Sequence, residues 1–524
     1  FAHHYWEADL QSEAAPHLWK AAQVSASAYE LVQAERSFDR LATVMAKDPA
    51  VLADPEERAR MAESYGYVLF DRGRFDTAET WFETLEELGQ RLSRPEWVVR
   101  SLWYRGLNAV NRGQPDRAET LLERGLSLLA APDDRLEADL HSGLGLVHHD
   151  RRDAERSLEH HEQALTLRRK IGDDLGTAKS LMNMGNVYFN LRADHGKAEE
   201  HYEEALAFSQ KAGDRLMRSG CTLNLGSLSL DRGEWPRALR RFQRVHTLAE
   251  EMGWSFLRFL SLRCQAECHL RLGQIDRALS ILETCRSGGD DVLIPFNRVA
   301  IRLLQFEAYT CALADERARE ALDSARETAE RLGVTEAGDW LRLCEGRRLA
   351  LEGDLEEAAQ AFADAGRLAA ELQNRDLERI ALAHRVRAIL RAGMDGPDIP
   401  VGEPGDTGPT AALSAYLLAD GRPARNASGQ AARELAAAGD MASRLGCLAL
   451  ERAAFERQAD VLAELRASGS EMALERAARA MHKLAGHLPA ELREAFLEHP
   501  RNATLRAVVL ETADTPGAPA LRDT

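Results

Sequence analysis

Lysine is almost missing from this 524-residue chain: only seven of its 67 basic residues are lysine, the rest arginine. We read that bias as genomic, the mark of a GC-rich bacterium, rather than as functional. Basic residues are also outnumbered by 84 acidic ones, leaving a formal charge of −17. Phosphate contact needs a concentrated basic face, so a general nucleic-acid binder is excluded. Cysteine is scarce and odd in number, seven residues scattered between Cys221 and Cys447. That excludes a disulfide framework and fits free thiols in the cytoplasm. Cys264 and Cys268, one helical turn apart, read as two core thiols, because no Cys/His pair stands nearby at zinc-ligand spacing. No run approaches 18 apolar residues, which excludes a membrane-spanning helix, and residues 1–9 do not resemble a signal sequence.

Catalytic words are missing too. No Gly-x-x-x-x-Gly-Lys-Ser/Thr loop occurs, and Gly196-Lys197 continues into Ala198. Gly143-Leu144-Gly145 has no third glycine at the spacing a dinucleotide site requires. There is no Gly-x-Ser-x-Gly turn and no kinase signature. We expect no enzyme activity, no cofactor and no metal in this chain. The one unusual cluster is His141, His148, His149, His160 and His161. His148 and His161 stand where equivalent segments carry Leu, Tyr or Phe, so they read as core positions rather than ligands.

What is present is a period. A small residue is followed about twelve positions on by another and, four further on, by an aromatic or Leu, with one residue inserted around Ala193–Gly196. Examples are Gly66, Ala78, Phe82; Gly106, Ala118, Leu122; Gly145, Ser157, His161; Gly185, Ala198, Tyr202; Gly226, Ala238, Phe242; and Gly346, Ala358, Phe362. Ala266, Ala278, Leu282 continue the series, with a weak copy at Ala308. The anchors are spaced 40, 39, 40, 41, 40, 42 and 38. Within each unit the apolar spacing is helical, and Gly73, Gly113, Gly233, Gly273 and Gly353 fall seven after an anchor, where a left-handed turn ends a helix. Each unit reads as a helix–turn–helix hairpin that buries its faces only by stacking.

These positions resemble the tetratricopeptide repeat, in the longer variety of kinesin light chains and of MalT-type bacterial regulators. Asn183-Met184-Gly185 and Asn224-Leu225-Gly226 are similar to words of that variety. The resemblance covers about 59–375. It implies an all-α fold, a right-handed α-solenoid of stacked hairpins. The expected divisions are 1–58, divergent repeats; 59–375, the solenoid; 376–392, a helix; 393–410, a Gly/Pro/Asp linker; 411–511, further helical repeats and a cap; and 512–524, a disordered tail. In 1–50, Ala15, Trp19 and Ala22, then Ala34, Phe38 and Leu41, read as the second helices of two divergent units. The segment His3 to Leu18 resembles the joint between an ATPase module and its repeats in LuxR-type activators and kinase–ATPase–repeat fusions. With Phe1 at the start, the expectation is the C-terminal half of a larger regulator.

In such an array the first helices line the concave side. Counting from the anchors, that side should present Trp103, Lys179, Asn183, Asn186, Asn190, Asn224 and Arg263, with Leu107, Met182, Leu223 and Arg302 beside them. Asn offers donor and acceptor together, so a ladder of Asn can hold a peptide backbone, and Lys179 and Arg263 add charge complementarity. The functional expectation is a non-catalytic protein- or peptide-binding scaffold, whose partner could be its own upstream module. The alternative is a small-molecule sensor of the MalT kind for a sugar or nucleotide.

Overall fold

A computed structural model describes residues 2–7, 10–27, 30–129, 133–289, 292–372, 374–392 and 429–513, with 413, 415–417, 419 and 420. The linker expected over 393–410 lies outside these residues, as does the tail expected over 512–524 except for 512 and 513, which end the helix Ala503–Ala513. No strand occurs among the described residues. The chain divides into two compact units, Phe1–Cys221 and Thr222–Thr524.

The first unit contains α1 (Ala2–Glu7), α2 (Gln11–Ser27), α3 (Leu31–Lys47), α4 (Pro55–Asp71), α5 (Phe75–Arg91) and α6 (Pro95–Asn111). It continues with α7 (Pro115–Ser127), α8 (Asp134–Asp150), α9 (Ala154–Lys170), α10 (Asp174–Asn190) and α11 (His195–Lys211). Helix α12 (Arg215–Asp231) crosses the division. The second unit holds α13 (Trp235–Glu251), α14 (Ser255–Arg271), α15 (Ile275–Gly288), α16 (Pro295–Cys311), α17 (Asp315–Leu332), α18 (Gly338–Glu352), α19 (Leu355–Glu371) and α20 (Arg375–Arg391). Helices Gly429–Leu445, Leu448–Glu464, Ser470–Gly486, Ala490–Glu498 and Ala503–Ala513 follow.

Consecutive helices pack as hairpins, and the period shows why. The anchor lies against the residue sixteen later (seventeen at Gly185) so closely that a Cβ on Gly66 would sit 2.5 Å from Phe82 Cε1. Tyr202 crowds Gly185, and Phe242 crowds Gly226, at the same distance. The small residue lets two helices approach, and the ring fills the remaining space. At the turns Gly73, Gly113, Gly233, Gly273 and Gly353 have φ of 72°, 67°, 73°, 71° and 98°, the left-handed conformation that glycine adopts at least cost. Asp153, Asp173 and Asp194 then cap α9, α10 and α11, accepting from backbone N–H groups at 3.0–3.1 Å, which satisfies donors the first turn leaves open. Ser157, standing where most units have Ala, donates to the Gly145 carbonyl at 2.7 Å.

Two local readings change. Helices α2 and α3 form one hairpin rather than the second helices of two units. Ala22, Ala34 and Phe38 repeat the small–small–aromatic spacing and are all fully buried. The short 3-10 helix Pro49–Leu52 puts this hairpin out of register with the next. A further copy of the pattern lies in the C-terminal region, where a Cβ on Gly439 would meet Phe455 Cζ at 2.6 Å and Gly446, between them, has φ of 74°. The weak unit at Ala308 is the hairpin α16/α17, with Ser324 at the aromatic place and Arg302 Nε donating to its hydroxyl at 3.1 Å.

Within the second unit the C-terminal helices pack against α14–α16. One apolar core joins Leu270, Ile275, Ile301 and Ala312 to Met481, Leu484, Leu488 and Phe496. The Asp276 N–H donates to the His487 carbonyl at 2.8 Å. Glycine at 273 also leaves room for Leu448, whose Cδ1 would lie 3.1 Å from a Cβ there.

Candidate functional site: the uncovered face of the first helices

In the first unit each hairpin's first helix buries one side in the stack and leaves the other uncovered. On α10, Gly176, Thr177, Ala178, Ser180, Leu181, Met184, Gly185, Val187 and Tyr188 are buried. Lys179 and Asn190 are exposed, and Met182, Asn183, Asn186 and Phe189 are half-buried. The same division recurs on α4, α6 and α8, so the uncovered positions form rows.

Three residues before each anchor stand Glu63, Trp103, Ser142 and Met182. One residue after it stand Tyr67, Leu107, Leu146 and Asn186; four after, Phe70, Val110, His149 and Phe189. All are half-buried except Tyr67, which is 40% exposed. The result is a mainly apolar strip crossing four first helices. Its aromatic members lean on neighbours: Trp103 against Tyr104 at 4.6 Å between centroids, Tyr67 against Tyr104 at 6.1 Å, and Tyr104 stacked on Phe82 at 4.8 Å.

Charge borders this strip. Six residues before each anchor lie Arg60, Arg100, Asp139 and Lys179. Arg60 meets Glu56 at 3.5 Å and Arg100 meets Glu63 at 3.3 Å. Asp139 is neutralised by Arg168 at 2.7 Å. Lys179 makes no ion pair or hydrogen bond among the described residues. Five residues after each anchor lie Asp71, Asn111, Asp150 and Asn190. One edge thus mixes both signs, with Lys179 its unpaired charge among the described residues, and the other is acidic to polar.

The residues singled out from sequence fall into three groups. Lys179, Asn183, Asn186 and Asn190 share the face of α10, and Trp103 lies on α6 of the same unit. Asn186 accepts a hydrogen bond from the Tyr202 hydroxyl at 2.8 Å, and Asn190 Nδ2 lies 3.5 Å from His149 Nε2. Asn224 and Arg263 belong to the second unit, where Asn224 is half-buried. The Arg263 side chain is 16% exposed and meets Glu267 at 3.5 Å and Cys264 Sγ at 3.2 Å. Arg271 lies between Glu267 at 3.6 Å and Glu307 at 3.5 Å, and Trp340 Nε1 donates to Glu307 at 3.1 Å. This face of the second unit is a charged network, whereas that of the first is apolar. Tyr67, Phe70, Val110, Leu146 and Phe189 were not singled out from sequence. Tabulating every residue one and four after an anchor would have found them.

The histidines pack on one another. His141 Nδ1 lies 3.1 Å from His160 Nδ1, and His148 stacks on His160 at 5.3 Å. Burial lowers the pKa of all three. Among the described residues no three His, Cys, Asp or Glu side chains converge as a metal site would require. All seven cysteines are free thiols, and burial pushes Cys221 and Cys285 up to about 12, away from reactivity. No described helix is long and apolar enough to cross a membrane.

Residues 136–211, which cover nearly all of α8 to α11, match the family model of the tetratricopeptide repeat and are repeats of that type. No curated protein matches the chain. Solved structures similar to it include a Rap protein complexed with competence and sporulation factor, 14% identical over 65% of this chain and 99% of that one, with a TM-score of 0.44. The apo form of the quorum sensor NprR from B. thuringiensis is 13% identical over 68% of this chain and 99% of that one, with a TM-score of 0.46. A tetratricopeptide repeat protein from Parabacteroides merdae is 16% identical over 55% of this chain and 99% of that one, with a TM-score of 0.36.

Proposed function

We propose that this chain, with tetratricopeptide repeats at its centre, is a non-catalytic scaffold that holds a protein or peptide segment on the first-helix face of its first unit. Its setting is cytoplasmic, as the partner-docking half of a bacterial signalling or transcription-regulating protein. The observation that carries the reading is the strip through Tyr67, Leu107 and Leu146, one residue after their anchors, with Met182 a turn earlier on the fourth first helix. A mainly apolar, half-exposed strip that reaches over four hairpins and is bordered by charge is what an interaction surface offers and what a solvated face avoids. Lys179, Asn183 and Asn190 serve at the polar end of this strip, and Trp103 at its aromatic end.

The test is selection from a displayed library of random 21-residue peptides on the whole chain, followed by affinity measurement. Binding should fall at least thirtyfold in Leu146→Glu and stay unchanged in Glu123→Arg, an exposed site on a second helix. Equal binding to Leu146→Glu and to the native chain would sink the proposal.

A further inference from the structure

We infer that the segment held on the first unit is an amphipathic α-helix of about 20 residues, lying across the first helices with its acidic flank toward Lys179. The inference rests on the scaffold reading above and specifies its ligand.

Polarity argues first. Tyr67, Leu107 and Leu146, along the middle of the strip, offer an arriving backbone one hydroxyl and otherwise only hydrocarbon. An extended or polyproline segment pressed there would bury N–H and C=O groups without partners, at about 1–3 kcal/mol each. Asn186, the residue in this row able to serve such a backbone, accepts from Tyr202. A helix brings its backbone hydrogen bonds already made.

Dimensions argue second. Neighbouring helices pack about 8–10 Å apart, so the strip offers an apolar position at about that interval. Residues seven apart on a helix are separated by about 10.5 Å on one face. Side chains on one face of an extended strand recur every ~6.7 Å, which falls out of step. A polyproline helix repeats every ~9.3 Å and keeps step. However, it is narrow, whereas the strip runs seven residues along each first helix, roughly 10 Å, close to the 10–12 Å diameter of a helix. Four first helices span roughly 30 Å, the length of about 20 helical residues.

The chain supplies a precedent within its second unit. Leu270 and Ala312, four residues after the anchors Ala266 and Ala308, are 7% and 2% exposed and share a core with Leu484, Leu488 and Phe496. Leu484 and Phe496 come from the protein's own helices Ser470–Gly486 and Ala490–Glu498, and Leu488 from the turn between them. Charge then sets the orientation: on one edge Arg60, Arg100 and Asp139 are already paired with Glu56, Glu63 and Arg168, which leaves Lys179 to receive an acidic group. The ligand helix presents Asp or Glu on the flank that faces Lys179.

The test reads the peptides selected on the whole chain. The expected sequences carry apolar residues at three- and four-residue intervals, gain helical circular dichroism on binding and lose at least tenfold in affinity when Pro is placed centrally. Lys179→Glu should weaken binding three- to tenfold, and a peptide with Lys in place of the facing Glu should restore it. Peptides that alternate apolar and polar residues or are rich in Pro, tolerate the central Pro and still fail on Leu146→Glu would overturn the helical ligand while leaving the scaffold standing. Failure of any peptide to discriminate the native chain from Leu146→Glu would remove both.

Discussion

His161 lies beneath Gly145 as Phe82 lies beneath Gly66: a Cβ on Gly145 would fall 2.5 Å from His161 Cε1. The imidazole is completely buried, and neither ring nitrogen has a hydrogen-bond partner. Burial, with repulsion from Arg168 second, lowers its pKa to about 3. The folded value is below the unfolded value of about 6.5, so the unfolded chain binds the extra proton. Stability from this site is complete above about pH 6.5 and is lost as pH falls toward 3, at about 1.4 kcal/mol per pH unit. His161→Phe should raise stability at pH 5 and flatten the dependence by one proton between pH 4 and 6.5, measured by denaturant unfolding across pH. His141, His148 and His160 keep some slope in place, because burial lowers them too. An unchanged slope would contradict the assignment.

The anchors separate two kinds of glycine. Gly66→Ala drives a methyl into Phe82, and Gly106→Ala drives one into Leu122 at 2.7 Å. Each should cost about 1–3 kcal/mol by thermal unfolding, as overpacking of a tight core does. Gly220→Ala meets only Met182 Sδ at 3.6 Å and sits inside α12. It should be neutral or stabilise by about 0.5–1 kcal/mol. Equal costs at all three would show that the period does not mark close approach.

Ala193 occupies a turn with φ of 50° and is exposed. A left-handed conformation costs an L-residue roughly 1–2 kcal/mol, and the greater freedom of glycine in the unfolded chain returns about 0.4–1 kcal/mol of that. Ala193→Gly should therefore stabilise by about 0.5–1 kcal/mol in chemical denaturation. Destabilisation would show that the turn is not strained.

The hairpins are legible wherever anchor, small residue and ring keep their spacing, as at Gly226, Ala238 and Phe242, because steric approach leaves few alternatives. Gly439, Gly446 and Phe455 are hard to recognise in sequence because Glu451 stands where the second small residue is usual. Residues 48–54 shift the period, which hides in sequence the link of Ala22 with Ala34 and Phe38. The site was less legible. A half-exposed Leu146 looks in sequence like any core leucine, and only the neighbouring hairpins decide which side of its helix stays uncovered. Asn186 stood out by type, yet its bond to Tyr202 depends on a contact that no spacing rule announces.

The most direct test is hydrogen–deuterium exchange of the whole chain with and without a library-selected peptide. Slowed exchange should concentrate in α4, α6, α8 and α10 and spare α5, α7 and α9. Protection confined to the second helices, or to residues 448–498, would contradict the claim that the first unit's uncovered face is the binding site.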